Sequence, residues 1–302
     1  MEFTFNASAI AAGGVIERGN VTTIIPSLAS VALAPTGGEG RSIQSNYFSE
    51  ELSFSHAETR VYGREIPGRG LFTTNTYVLL KDLRVFDKLA IGELRGTVTS
   101  TRNLEDADDH DFELSVSYRG VVINGKEVNP KIDLSVESIR RYQHLEQILS
   151  ATPATAASKL PKGIIPSGDK KGLAERFNAR TPEMLAGRLK ERKAVQGTLI
   201  EKVEGRVTPR KHHMIFIPGL GIVRFGELML KPGRRRVNLL RITFGNRDTV
   251  GLGNESPRLE GAQLRKRNAN SSSFLEDPED DGSLGGTMTI ASVEGNGTIV
   301  GP

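Results

Sequence analysis

The residues best suited to chemistry are basic ones in the second half of the sequence. Three consecutive arginines follow a proline–glycine turn in the stretch 231–236. Arginine side chains bind phosphate or sulfate oxygens through paired hydrogen bonds, so this pattern indicates a surface for a polyanion or a protein partner. The alternative is a solvated hairpin tip, or an edge strand that charge protects against aggregation. The candidate binding residues are Lys211, Lys231, Arg234, Arg235, Arg236 and Arg241.

Histidines and acidic runs are the candidate metal ligands. His212 and His213 are adjacent, and adjacent side chains on a strand point to opposite faces, which favours a structural or surface role over metal binding. The acidic runs 105–111 and 276–282 offer oxygen ligands of the kind that calcium takes, but neither has the spacing of an EF-hand loop. We therefore expect no cofactor, with calcium as the alternative.

Groups for covalent or acid–base catalysis are hard to find in the sequence. The chain contains no cysteine, which excludes a thiolate nucleophile, a cysteine-ligated zinc site and a disulfide framework. Its five histidines show no pattern of a nucleophile beside a base. Gly219 and Gly221 lie in a stretch that continues as a strand, whereas a phosphate-binding loop leads into a helix. These patterns favour a protein without enzymatic activity. An enzyme whose groups meet only in the folded chain is an alternative.

The charge is distributed unevenly along the 302 residues. The formal net charge is +4, but residues 159–247 contain 21 basic and 7 acidic side chains, so the remainder of the chain is acidic. Two explanations compete for this asymmetry. The basic part binds a polyanion, or basic and acidic faces attract one copy of the protein to another.

The elements that position these residues are mostly strands. Apolar and polar residues alternate through the first 135 residues, and Asn124-Gly125 between two apolar runs predicts a tight hairpin. Apolar residues at helical spacing in 139–149 predict an amphipathic helix packed on the sheet. The sequence therefore predicts a mainly β fold, an antiparallel sandwich or barrel-like domain with one or two packed helices.

Four regions follow from these patterns. Residues 1–150 form a β-rich region that ends in the amphipathic helix, and 151–253 form a basic β-region with a short helix beginning at Thr181-Pro182. Residues 254–286 are polar and predict a flexible loop, after which 287–302 form a terminal β-segment. That segment completes its own sheet or adds to the edge of a neighbouring copy by strand exchange. Its candidate assembly residues are Thr287, Thr289, Ile290, Val293 and Ile299.

Targeting signals are not visible in the sequence. No run approaches the roughly 18 apolar residues of a membrane-spanning helix, and Met1-Glu2-Phe3 does not begin a basic, then apolar, signal peptide. We expect a protein without a membrane span that stays in the cell or is a mature form whose leader has been removed.

The order of several segments resembles the choice-of-anchor P domain of bacterial surface proteins. The resemblance rests on Ser55–Val61 with the strands of 78–99, on Gly120–Val128, and on Gly197–Leu199 followed by 222–244. It implies an exported, non-enzymatic β-domain at the cell surface, and a cytoplasmic location is expected otherwise. The chain departs from that family in showing no leader and no C-terminal anchor, and the resemblance assigns no functional residues.

Together these observations predict a structural or interaction protein. The charge asymmetry and the β-segments at both ends favour self-assembly into a homo-oligomer, filament or shell, through β-edges and complementary charges. The alternative function is binding of a polyanion, either nucleic acid or acidic polysaccharide, by the basic second half. The expected partners are other copies of the chain and, in the alternative, the polyanion.

Overall fold

The computed structural model describes residues 2–103, 110–137, 139–150, 170–207, 209–211, 213–245 and 284–300. Two open antiparallel sheets pack face to face, and a few short helices accompany them. The prediction of a mainly β sandwich is confirmed. In chain order the strands are β1 (Glu2–Arg18), β2 (Val21–Ala32), β3 (Gly38–Phe48), β4 (Leu52–Ile66), β5 (Leu71–Val85), β6 (Leu89–Asn103), β7 (His110–Ile123), β8 (Lys126–Ile132), β9 (Val195–Thr198), β10 (Ile200–Gly205), β11 (Pro209–Lys211), β12 (Met214–Ile217), β13 (Gly221–Lys231), β14 (Arg234–Phe244) and β15 (Leu284–Val300).

The helices lie between β8 and β9 in the sequence. They are α1 (Leu134–Glu137), α2 (Tyr142–Ser150), α3 (Lys170–Arg176) and α4 (Pro182–Lys190). The predicted amphipathic helix corresponds to α2, which buries Leu145 and Leu149. Thr181 caps α4, because its side chain accepts a hydrogen bond from the amide of Met184, as its sequence before a proline predicted.

Each sheet combines strands from distant parts of the chain. The first sheet has the order β11-β12-β13-β14-β15-β1-β2, with β9 also paired to β13. The second sheet has the order β10-β8-β7-β6-β5-β4-β3. The predicted hairpin at Asn124-Gly125 joins β7 to β8, and both turn residues have positive φ. The expected boundary near residue 150 therefore does not separate the two sheets, since β1 and β2 pair within the sheet that holds the C-terminal strands.

The core lies between the facing sheets. Phe3 stacks on Phe72 with ring centroids 4.3 Å apart, which joins β1 of the first sheet to β5 of the second. Further along, Leu239 of β14 packs so closely on Gly96 of β6 that a β-carbon on this glycine would lie 2.7 Å from the leucine. Both contacts lie in the closely packed interior between the sheets, and a side chain at position 96 would require Leu239 to move.

In the first sheet, one residue in each of five neighbouring strands is not paired in the antiparallel ladder. These residues form a row across the sheet, which we name the crease. In the described strand pairs, a crease residue is paired with neither of its neighbouring strands. The pairing resumes in the same register beyond the crease in β13, β14 and β15. Alternate strands carry a positive φ there, and the buried face of each strand shifts by one residue. The crease consists of Ala11, Ala29, Gly226, Leu239 and Ala291.

Hydroxyl groups of the second sheet bond to backbone carbonyls along the crease. The Tyr118 hydroxyl donates to the carbonyl of Leu239 at 2.7 Å, and the Thr59 hydroxyl donates to the carbonyl of Ala29 at 2.8 Å. A buried carbonyl that leaves its ladder needs another donor, and these side chains supply one. The crease is therefore a point where the two sheets are joined by polar contacts as well as apolar ones.

Candidate interaction surfaces

The structure does not place all of the predicted basic residues on one surface. Side chains alternate along β14, so Arg234 and Arg236 lie on one face and Arg235 on the other. Arg235 is only 1% exposed, and its Nη2 donates to the carbonyl of Ile139. Its inclusion among the polyanion-binding residues is therefore wrong, because the side chain lies in the core where a polyanion has no access.

Arg234 and Arg236 share a single carboxylate. Their Nε atoms lie 2.5 and 2.7 Å from the two carboxylate oxygens of Glu294 on β15. Glu294 is 4% exposed, so the two guanidinium groups cover it and neutralise its charge. These arginines stabilise the pairing of β14 with β15, and part of their charge is not available to a ligand.

Of the remaining basic candidates, Lys231 is the ladder partner of Arg234, whereas Arg241 and Lys211 lie farther along the first sheet. Arg241 lies 3.7 Å from a carboxylate oxygen of Glu227 on the neighbouring strand β13. Lys231 is exposed at the end of β13, and Lys211 is exposed on the short strand β11. His213 is buried, and His212 lies outside the described residues.

The terminal β-segment lies in the middle of the first sheet. β15 pairs with β14 on one side and with β1 on the other. Of the two alternatives for this segment, the structure has the one in which it completes its own sheet. Over 287–296 both edges of the strand are used within the chain, so this stretch offers none to a second copy. The candidate assembly residues pair as Thr287 with Thr243, Thr289 with Arg241, Ile290 with Leu240, Val293 with Val237 and Ile299 with Phe3.

The unpaired edges are elsewhere. β2 and β11 end the first sheet, and β3 and β10 end the second. β3 contains a glutamate and an arginine, β10 contains three charged residues and β11 contains two. β2 has 12 residues and no charge. The uncharged strand β9 also lies beside β13, but it has only four residues, of which three are buried. β2 is therefore the long edge without charge in the described sheets.

Apolar side chains are exposed beside this edge. Val21 is 66% and Ile24 72% exposed on β2, and Phe48 at the end of β3 is 84% exposed. β2 and β3 lie side by side on one flank of the sandwich, where a β-carbon on Gly40 would lie 2.7 Å from Val31. Such a flank is suited to contact with another protein surface.

A second charged cluster lies on the outer face of the second sheet, and the sequence analysis missed it. Glu58 of β4 is 6% exposed because Arg41 of β3 and Arg60 of β4 fold over it, with Nε–Oε1 distances of 2.5 and 2.7 Å. Tyr77 of β5 lies next to Arg60, and Arg95 of β6 approaches the same ring. In the sequence, the alternation of polar and apolar residues on four strands was the only sign of this cluster. Which of these residues are neighbours depends on the strand register, which the sequence does not reveal.

The hydrogen bond from Arg60 is the largest cause that lowers the pKa of the Glu58 carboxyl, and the hydrogen bond from Arg41 adds to it against the opposing effect of burial. Glu58 therefore stays ionised at neutral and mildly acidic pH. An ionised carboxylate between two arginines holds both guanidinium groups in place.

Metal and membrane sites are not visible in the described part of the chain. Within it, no group of three or more histidine, aspartate or glutamate side chains is arranged to hold a metal ion. Residues 105–109 of the first predicted calcium run and all of 276–282 lie outside the described residues. Among the helices that the structure describes, none has the length and apolar character needed to span a bilayer.

Comparison with known proteins gives a family and no function. No curated protein and no solved structure matches the chain, and the resemblance to the choice-of-anchor P domain stays a prediction. One family model matches residues 3–231, which includes β2 and the Glu58 cluster. Because the match covers more than half of the 302 residues, the chain belongs to the family described as Domain of unknown function (DUF8256).

Proposed function

We propose that the protein is a non-enzymatic interaction protein that binds a second copy of itself, β2 of one copy pairing antiparallel with β2 of the other. One observation carries the proposal: among the strands that the structure describes, β2 is a free edge of 12 residues without a charged side chain. Free edges of this kind attract other strands, and proteins that remain monomeric protect them with charge, which the other three edges have.

Pairing of β2 with itself agrees with the physical requirements of a two-fold interface. In such an interface the same residues meet from both copies, so like charges on the strand would repel. β2 has none. Its unpaired backbone donors and acceptors would be satisfied by the partner strand, and the sheet would continue across the two copies.

The segment 21–25 is the best candidate for the contact. Pro26 has no amide hydrogen to donate, so the ladder is weakened at that position. Ile24 pairs with Val15 across β1 and β2, and both side chains are exposed, at 72% and 37%. A second copy would cover them and add apolar burial to the backbone hydrogen bonds.

Light scattering coupled to size-exclusion chromatography tests the proposal. We expect the wild-type protein to have the mass of a dimer and Ile24→Lys that of a monomer, because a buried lysine at the new interface has no partner. The matched control is Leu134→Lys, since Leu134 is also 72% exposed but lies on α1, which contacts β7, whereas β2 contacts β1, β3 and β4. A wild-type monomer at high concentration, or an Ile24→Lys dimer, would overturn the proposal.

A further inference from the structure

Glu58 fixes the positions of two arginine side chains on the outer face of the second sheet. Its Oε1 atom accepts one hydrogen bond from the Nε of Arg41 and one from the Nε of Arg60. A guanidinium group has five N–H donors, so most donors of each side chain remain available. Both side chains are 55% exposed. Two guanidinium groups are thus held in place by one carboxylate and present their outer edges to solvent.

Tyr77 extends this cluster towards a third arginine. The Cζ atoms of Arg60 and Arg95 lie 5.8 and 5.9 Å from the centroid of the Tyr77 ring, within the range of cation–π attraction. Arg41, Arg60 and Arg95 lie on β3, β4 and β6, and neighbouring strands are about 4.8 Å apart. The three side chains therefore form a row across the sheet. Three arginines against one buried carboxylate leave this row with net positive charge.

Short polar side chains lie on the same face beside the part of the row on β5 and β6. Thr97 is directly opposite Tyr77 in the ladder of β5 and β6, and Asn75 is opposite Thr99. The amide of Asn75 donates to the Thr99 hydroxyl at 2.8 Å. Hydroxyl and amide groups beside fixed arginines can hydrogen-bond a ligand that is rich in hydroxyl groups and also carries anionic groups.

From this arrangement we infer that the outer face of the second sheet binds an acidic polysaccharide. Carboxylate or sulfate groups of the polymer contact Arg41, Arg60 and Arg95, and its hydroxyl groups contact the neighbouring threonines and Asn75. A nucleic acid fits less well, because proteins bind single strands by stacking bases on aromatic rings, and the Tyr77 ring already contacts two guanidinium groups. The site does not involve β2, so the inference goes beyond the proposed self-association.

Biolayer interferometry with immobilised heparin and polygalacturonate tests the inference, with dextran as a neutral polymer and single-stranded DNA as the competing class. We expect binding to at least one acidic polysaccharide at ~50 mM salt, with weaker binding at ~300 mM. The double variant Arg41→Gln/Arg95→Gln should lose affinity by about ten-fold or more. The matched control is Arg119→Gln, a 76% exposed arginine on the neighbouring strand β7, which should change affinity by less than about two-fold.

Three outcomes would overturn the inference. These are no binding to either acidic polysaccharide at low salt, an equal loss in the control and the double variant, or tighter binding to single-stranded DNA than to both polysaccharides. Ile24→Lys separates this site from self-association. This variant should be a monomer that still binds the polysaccharide. Its mass tests self-association alone, because that mass does not depend on the polysaccharide site.

Discussion

The guanidinium group of Arg235 lies over the ring of Phe112, with its Cζ atom 5.0 Å from the ring centroid. This contact joins β14 of the first sheet to β7 of the second inside the sandwich. Among the described residues, the Nε and Nη1 atoms of Arg235 have no hydrogen-bond partner, while Nη2 donates to the carbonyl of Ile139. A buried cation with few partners costs free energy, because the ring and one carbonyl replace its water only in part.

Replacing this arginine with an apolar side chain of similar length should therefore not weaken the fold. We expect Arg235→Met to raise the free energy of unfolding by about 1–4 kcal/mol at neutral pH. Arg234→Met is the control, because it removes a half-buried partner of Glu294 and should lower the free energy of unfolding. Urea titration measures both. A clear loss of stability in Arg235→Met would mean that the contacts to Phe112 and Ile139 outweigh the cost of burial.

The same residue predicts a dependence of stability on pH. Burial lowers the pKa of Arg235 to about 9, against the opposing charge of Asp111. Above that pH the folded chain loses a proton that the unfolded chain keeps, so the free energy of unfolding should rise with pH. Below that pH, Arg235 is protonated in both the folded and the unfolded chain, so its contribution to the free energy of unfolding does not change with pH. Unfolding of wild type and Arg235→Met from about pH 8 to about pH 11 measures the difference. The advantage of the variant should shrink as pH rises, and a constant difference would contradict the lowered pKa.

Glu294 should matter more for stability than exposed carboxylates do. Its side chain is 5% exposed and accepts from Arg234 and Arg236, so Glu294→Ala removes two charge-assisted hydrogen bonds and leaves the arginines facing each other. We expect a loss of about 1.5–3 kcal/mol. Glu50→Ala is the matched control, because it breaks the exposed pair with Arg18 and should change stability by less than about 1 kcal/mol. Equal effects of the two variants in thermal unfolding would show that the Glu294 cluster carries no special stability.

Removal of one hydroxyl tests the crease. Burial raises the pKa of Tyr118, whose hydroxyl donates to the carbonyl of Leu239. Tyr118→Phe keeps the ring contact with Phe225 but leaves that carbonyl without its donor, and we expect a loss of about 1–3 kcal/mol. Tyr62→Phe on the outer face should cost less than about 0.5 kcal/mol. If the two losses are equal in urea titration, the carbonyl finds another donor and the crease does not depend on Tyr118.

Local sequence patterns were enough for the class of fold and for several boundaries. The alternation of apolar residues predicted strands, Asn124-Gly125 predicted a hairpin, and Thr181 before a proline predicted the start of a helix. Each of these features is decided by residues close together in the chain. The positive φ of Ala29 and Ala291 was not predictable, because alanine does not favour that conformation and only the tertiary contacts of the crease hold it.

The charged sites could not be predicted, because their partners are distant in sequence. Side chains alternate along a strand, so Arg235 is expected on the opposite face from Arg234 and Arg236. Which of the two faces is buried depends on the second sheet. Arg236 meets its carboxylate 58 residues away. Likewise, the row on the outer face depends on the register of four neighbouring strands, β3 to β6. The run of arginines therefore indicated local charge, but it did not reveal that Arg235 is buried or that Arg234 and Arg236 share one carboxylate.

The position of β15 predicts that the last strand is essential for folding. It pairs with β1 along almost its whole length and with β14 over 287–296, and Met288, Ile290 and Val293 are fully buried. Deletion of 284–302 would open two long edges in the middle of the sheet and expose these side chains. We expect the truncated chain to lack a cooperative thermal transition by circular dichroism, and a synthetic peptide of 284–302 to restore it, whereas a scrambled peptide should not. A truncated chain with a cooperative transition within about 5 °C of the wild type would contradict the central role of β15.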